Sequence, residues 1–259
     1  MGKIAPVMSV KNVGFLARRS AASALLQCMR LRNHIVGRFD RRRRFYPEFF
    51  TDRYIRKNFF PDFSYRGCAV EVGCATLELL SMSQHFREFG WRCLGIEPNP
   101  RFVALHKARG NEVFEYAAAD FEADDYDFVV AEANADYSDR QLSAHSYSSL
   151  IKPGYLDYKG GAVRKFKQSK IKVSVRRLDD ILNTHCPDLS NIDLLAIDVE
   201  GYEMEVMKGF TPARCKTRVI VLENLFHNAA YTEYMKGIGY RLHKKVKYNY
   251  IYVPHCVPR

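Results

Sequence analysis

The stretch LLAIDVEGYEMEVMKGF, residues 194–210, decides how the chain folds. An uninterrupted apolar run ends in Asp198, and Glu200, Gly201 and Glu203 then open a segment with the look of a helix. A run of this kind reads as a strand buried on both faces. Buried strands rarely end in charge, because an unpaired carboxylate taken out of water costs several kcal/mol. What Asp198 and the acids after it face is the question this stretch raises. Glu200 stands where an acid favours the exposed N–H groups of a helix start and reads as partly structural; Glu203 reads as structural.

The same grammar extends in both directions. Upstream, CAVEVG (68–73) reads as a strand and 75–89 as a helix carrying Leu77, Leu79, Leu80 and Phe86. RCLGIE (92–97) is the next strand, followed by a helix over about 100–109. EVFEYAAA (112–119) and YDFVVAEA (126–133) follow as strands. The polar stretch 134–169, with Gly160 and Gly161, reads as a long loop or insertion; IKVSVRR (171–177) is a strand and LDDILNTH a short helix. After IDLLAID (192–198), a helix near 202–209 and the strand RVIVLEN (218–224) complete a β-α-β unit. GYRLHKKVKYNYIYVPH alternates as an antiparallel hairpin. Alternating strands and helices predict an α/β fold: a mostly parallel, doubly wound sheet with helices on both faces and an antiparallel edge from that hairpin.

Composition narrows the classes. With 47% hydrophobic and 13% aromatic residues in 259, the chain is a folded protein with a sizeable core. No stretch approaches the roughly 20 consecutive apolar residues of a membrane span. The net charge of +11 is unevenly placed: residues 1–66 hold 15 Lys and Arg against 4 Asp and Glu, and the rest hold 25 of each. Two parts follow, a basic helical arm (1–66) with the run Arg41–Arg44 among aromatics, and a charge-balanced domain (67–259). The arm lacks the apolar centre of a secretory signal, and suits either an anionic membrane surface or packing with its arginines in solvent. Seven cysteines without C-x-x-C or zinc-like spacing point to reduced thiols and a cytoplasmic protein, peripheral to the membrane if the arm binds there.

In doubly wound sheets, ligands lie at the carboxyl ends of the strands. Glu71 and Gly73 end the first strand, Glu97 the second and Asp120 the third. The fingerprint G-x-G-x-x-G is absent, which disfavours a pyrophosphate cradle. An ordered set of acids on strand tips suits a ligand with ribose hydroxyls, an adenine amino group and a cationic amino-acid tail. S-adenosylmethionine has all three.

From about 67 to 225 the chain resembles the FkbM family of S-adenosylmethionine-dependent methyltransferases, which have a class I Rossmann-like fold. The resemblance rests on VEVGCATLELL, GIEPNP, SYSSL (146–150), VRRLDDIL (175–182) and LLAIDVEGYEMEVMKGF. It implies that Glu71, Gly73, Cys74, Glu97, Pro98 and Asp198 bind the cofactor and that Asp120 approaches its adenine. It also implies methylation of a hydroxyl, often on a sugar or glycolipid. Leu77 stands where many members have a second glycine.

Asp198 then lies beside the reactive end of the cofactor, as a catalytic residue. His227, with an ordinary pKa of about 6.5, is a candidate base. Asp198, Glu223 and Asn224 could supply hard oxygen ligands to Mg²⁺, as in metal-dependent O-methyltransferases of this fold. The alternative is a metal-free site in which Asp198 contacts the cofactor and Glu223 orients substrate. The reading is an O-methyltransferase acting on a glycan, nucleotide-sugar or glycolipid acceptor. One rival is an RNA methyltransferase using the arginine run; no K-D-K-E-type tetrad is visible, and this argues against nucleic acid. Another is a non-catalytic binding module of the same fold.

Overall fold

The computed structural model describes residues 28, 31–33, 35, 39–78, 80–132, 149–150 and 167–255. These fall into two compact units, Met1–Tyr46 and Pro47–Arg259. In the first, Arg41–Arg43 form an exposed 3-10 turn whose leading residue, Asp40, accepts bonds from the Arg42 backbone N–H at 3.0 Å and its Nε at 2.9 Å. Most of the helical pattern over the basic arm, the stretch 134–148 with SYS (146–148), Gly160 and Gly161, and Cys256 lie outside the described residues. Among the described residues no helix is long and apolar enough to cross a membrane. The described cysteines are free thiols.

In the second unit the strands are β1 (Cys68–Val72), β2 (Arg92–Ile96), β3 (Glu112–Phe114), β4 (Ala117–Ala119), β5 (Ala123–Glu132), β6 (Ser149–Leu150), β7 (Lys167–Arg177), β8 (Leu194–Ile197), β9 (Val219–Glu223), β10 (Tyr240–Val246) and β11 (Asn249–Pro254). The helices are α1 (Thr51–Phe59), α2 (Gln84–Glu88), α3 (Pro100–Ala108), α4 (Leu178–His185), α5 (Glu203–Lys208) and α6 (Ala229–Gly237). The main sheet runs β10-β11-β9-β8-β1-β2-β3. From β3 to β9 its neighbours are parallel, and β11 is antiparallel to both β9 and β10. This is the mixed α/β architecture that the alternating pattern and the terminal hairpin predict.

Strand order reverses between β1 and β8, which opens a crevice at their carboxyl ends. Register does the positioning. Val72 pairs with both Ile96 and Ile197, and Ile197 pairs with Leu222. The next residues, Gly73, Glu97, Asp198 and Glu223, therefore emerge in one row. Each strand of this row is apolar on both faces. Val70, Leu94, Leu195 and Ile220 pack with Leu178 and Ile181 of α4, Val206 of α5 and Met235 of α6. Ala69, Cys93, Ala196 and Val221 pack on the other side with Ile55 of α1, Phe86 of α2 and Trp91. Each large aliphatic side chain buried there contributes about 1.5–3 kcal/mol.

Residues 47–66 thus belong to the same compact unit as the strands, with α1 packed on the sheet. Its Arg56 is buried at 2% exposure. The guanidinium lies 4.7 Å from the Phe86 ring centre and 4.9 Å from that of Phe63, and it donates to the Phe60 carbonyl at 3.2 Å and His85 Nε2 at 3.1 Å. Burial lowers its pKa to about 10, which leaves it charged at neutral pH.

Three sequence expectations change. The helix expected over 75–89 is helical only at Gln84–Glu88, because Glu71 draws the chain into a loop first. The stretch 112–119 breaks after Phe114, and β4 leaves the main sheet to pair with β7. The strands read at 126–133 and 171–177 pair antiparallel with each other as β5 and β7, in a separate four-stranded sheet, β4-β7-β5-β6. Alternation gives a strand its faces, not its partner.

Candidate active site

The cleft at the reversal point is lined by Val72, Gly73, Ala75, Ile96, Glu97, Pro98, Phe102, Tyr116, Asp198, Val199, Glu200 and Tyr202, with Ala117, Ala118, Phe128 and Leu150 from the second sheet. About 540 Å³ of space, open solvent included, lies within it.

Gly73 sits where only glycine fits. Its φ is +82°, and a β-carbon there would lie 1.9 Å from the Asp198 carbonyl oxygen. Asp198 in turn donates its N–H to the Val72 carbonyl at 3.0 Å, so β1 and β8 stay zipped to the edge of the cleft.

Glu97 is the more deeply buried of two buried acids in the cleft, 4% exposed against 8% for Glu200. Its Oε2 accepts the Ala75 N–H and its Oε1 the Asn99 N–H, both at 2.9 Å. A carboxylate has about four acceptor positions, so two are left for a ligand. Burial pushes its pKa up to about 7, against the two N–H bonds that lower it. Asn99 also caps α3, accepting the Arg101 N–H at 3.1 Å, which fixes Pro98 and Phe102 in the wall.

Glu71 is not among the cleft residues. Its carboxylate is turned into the loop ahead of α2 and accepts from the Met82 N–H (2.6 Å), the Ser83 N–H (3.1 Å) and the hydroxyls of Ser81 (3.0 Å) and Ser83 (2.5 Å). It serves the loop that backs the cleft. Cys74 is also turned away: it is buried beside Val103 and Val113, and its sulfur would lie 2.8 Å from a β-carbon on Gly95. Burial raises its thiol pKa well above the usual value. Asp120 follows β4, half-buried and outside the cleft lining, and its carbonyl accepts from Arg177 Nη1 at 3.2 Å.

Glu203 explains much of the stretch 194–210. It is 2% exposed. One oxygen accepts the Val199 N–H at 3.2 Å and the Gly201 N–H at 2.9 Å; the other accepts the Tyr231 hydroxyl at 2.8 Å. The acid holds the turn that carries Asp198 to α5. Gly209, at the end of α5, lets the helix close on β4, since a β-carbon there would lie 2.1 Å from the Ala119 carbonyl oxygen.

Carboxylate oxygens of Asp198, Glu203 and Glu223 lie within 4.8 Å of one another. The metal set expected from sequence is not formed. Asn224 is buried with its amide spent on the following turn, donating to the Asn228 carbonyl at 2.9 Å and accepting the Asn228 N–H at 2.8 Å. Glu203, a member of the group, already accepts three bonds. The acids that converge are therefore Asp198, Glu203 and Glu223, in place of the expected Asp198, Glu223 and Asn224. His227 is exposed and lies outside the cleft lining; its Nδ1 bonds the Tyr250 hydroxyl at 2.9 Å, and its ring stacks on Tyr248 at 5.6 Å.

Sequence reading missed Phe102, Tyr116, Tyr202, Phe128 and Leu150 as cleft residues. Phe102 was within reach, three residues past the Asn99 cap. Phe128 and Leu150 depend on a sheet pairing that no local signal announces.

A sheet of this order, with a buried acid on the second strand tip and a glycine turn on the first, defines a class I methyltransferase fold. The Methyltransferase FkbM domain matches residues 73–242, and the chain belongs to that family. Methyltransferase sdnD of Sordaria araneosa is 46% identical over 56 residues, a match covering 19% of this chain and 19% of that protein. The crystal structure of methyltransferase FkbM from Methylobacillus flagellatus KT aligns at 15% identity with a TM-score of 0.40, over 86% of this chain and 59% of that one.

Proposed function

We propose that the protein is an S-adenosylmethionine-dependent O-methyltransferase acting on a hydroxyl of a sugar, glycan or glycolipid-like acceptor. The carrying observation is Glu97: a carboxylate buried in the cleft with two N–H bonds made and two acceptor positions left. That is the chemistry a ribose diol needs. Pro98 and Phe102 offer the adenine an apolar wall, and Gly73 lines the cleft on the side of the methionine end. Bound there, S-adenosylmethionine supplies a methyl group on a positively charged sulfur.

Asp198 faces the same cleft, with Glu223 beside it. Its role is to orient the acceptor hydroxyl and take its proton as the oxygen gains the methyl; the proton then passes to water. Positioning does most of the remaining work. Several carboxylates at one rim give a polyhydroxylated acceptor several hydrogen-bond acceptors, which supports a carbohydrate. His227, held by Tyr250, has a place on the acceptor side rather than in the proton transfer. The exposed arginines 41–43 suit contact with an anionic membrane bearing such an acceptor.

The test is a methyl-transfer screen with labelled cofactor over glycans, nucleotide sugars, glycolipids and RNA. Label recovered as a methyl ether of a sugar supports the reading. Label recovered only in RNA overturns the acceptor, and S-adenosylhomocysteine that does not bind overturns the cofactor.

A further inference from the structure

We infer that the β10–β11 turn is the acceptor's phosphate-docking rim: Lys245 and Lys247, with the exposed rings of Tyr248 and Phe226, receive a diphosphate-bearing acceptor at the same strand ends as the cleft. The inference rests on the proposed O-methyl transfer and names the chemical class of its substrate.

Topology places the turn. Asn249 pairs with Glu223, and the Asn224 N–H donates to the Tyr248 carbonyl at 2.7 Å. The turn therefore shares the sheet edge that carries Gly73, Glu97, Asp198 and Glu223. Adjacent strands stand about 4.8 Å apart, so the turn lies roughly 10–15 Å from Asp198 along that edge. A sugar hydroxyl at Asp198 would leave a linked diphosphate pointing along the row.

The surface there is cationic and aromatic. Lys245 and Lys247 are exposed and make no ion pair among the described residues. Lys245 lies 4.6 Å from the Tyr250 ring centre and Lys247 lies 6.0 Å from that of Phe49. Phe226 is 41% and Tyr248 37% exposed, and His227 stacks against Tyr248. Rings beside cations suit a sugar or base face together with its phosphates.

Lysines on an edge strand also keep sheets from pairing edge to edge. Lys247 has no such use, because it lies in the turn, past the last ladder residue Val246. Its φ of +56° is one that glycine usually supplies, and His227 across from it has +52°. A two-residue hairpin turn imposes such a φ at its first position, so the turn sets the backbone and the lysine side chain is left to solvent. A membrane is the less suited partner: lipid surfaces are recognised by clusters of about four to eight basic residues, whereas Lys244, the third lysine of this hairpin, faces the opposite side of β10 from Lys245.

The experiment is calorimetry on the full chain loaded with S-adenosylhomocysteine, titrated with pyrophosphate and with UDP at low and at physiological salt. Pyrophosphate should bind, more weakly as salt rises. Lys245→Gln with Lys247→Gln should weaken it at least tenfold, with unchanged melting temperature and S-adenosylhomocysteine affinity. Lys216→Gln with Lys236→Gln, the same charge loss at the other edge of the sheet, should leave it unaltered. UDP should bind more tightly than pyrophosphate, and Tyr248→Ala should remove that difference. No pyrophosphate binding, equal binding by the first double variant, or capture only by phosphatidylserine vesicles would overturn the inference. Failure of S-adenosylhomocysteine to bind would instead strike the functional reading.

Discussion

Gly73 and Asp198 meet across the floor of the cleft: a β-carbon on Gly73 would lie 1.9 Å from the Asp198 carbonyl oxygen. Two parallel strands on either side of the reversal point thereby touch where they end. Gly73→Ala must push Asp198 away and also adopt a left-handed φ. The expected result is a stability loss of roughly 2–4 kcal/mol and loss of S-adenosylhomocysteine binding, read by thermal melting and calorimetry. A variant that melts and binds as the parent does would show that the strands part freely.

Glu97 should make cofactor affinity depend on pH. Its folded pKa is raised to about 7 by burial, so its protonated form favours folding. That contribution is present below the ordinary carboxylate pKa and is lost as pH rises through 7, a change on the order of 3 kcal/mol. Ribose hydroxyls donate best to the ionised form. Affinity for S-adenosylhomocysteine should therefore fall up to tenfold per pH unit below 7 and level off above 8, with a proton released on binding. Calorimetry between pH 5.5 and 8.5 checks both, and Glu97→Ala should abolish the slope.

Glu203 is expected to be structural. Glu203→Ala strands two N–H groups and the Tyr231 hydroxyl, at a cost of about 3 kcal/mol or more. Glu203→Gln can keep all three partners, its oxygen facing the N–H groups and its amide donating to Tyr231. Burial raises the Glu203 pKa, so the neutral amide should fold at least as well at pH 8. Denaturant melts of both variants decide it; equal losses would contradict the hydrogen-bond account.

Strands β1, β2, β8 and β9 and the terminal hairpin were legible because each is apolar through its length or alternates cleanly. The row of Gly73, Glu97, Asp198 and Glu223 followed from reading strand ends. Side-chain direction was not legible. Glu71 has the same strand-end signature as Glu97, yet its carboxylate turns into the 81–83 loop, and only the fold shows that this loop lies behind β1. The same bonds explain why 75–89 is not one helix, despite its leucine spacing: Ala75 and Leu80 take φ of +40° and +65° to bring that loop to Glu71. Asn224 likewise reads as a ligand until its amide is seen closing the turn to Asn228.

Asp198 carries the central claim, and turnover of Asp198→Asn with labelled cofactor tests it most directly. The amide keeps the shape and removes the charge that would take the hydroxyl proton. Against the acceptor found in the screen, turnover should fall by about 10²–10⁴, the range of general-base catalysis, while melting temperature and S-adenosylhomocysteine affinity stay near the parent's. An Asp198→Asn enzyme that transfers methyl at the parent's rate would contradict the placement of the reaction at this strand tip.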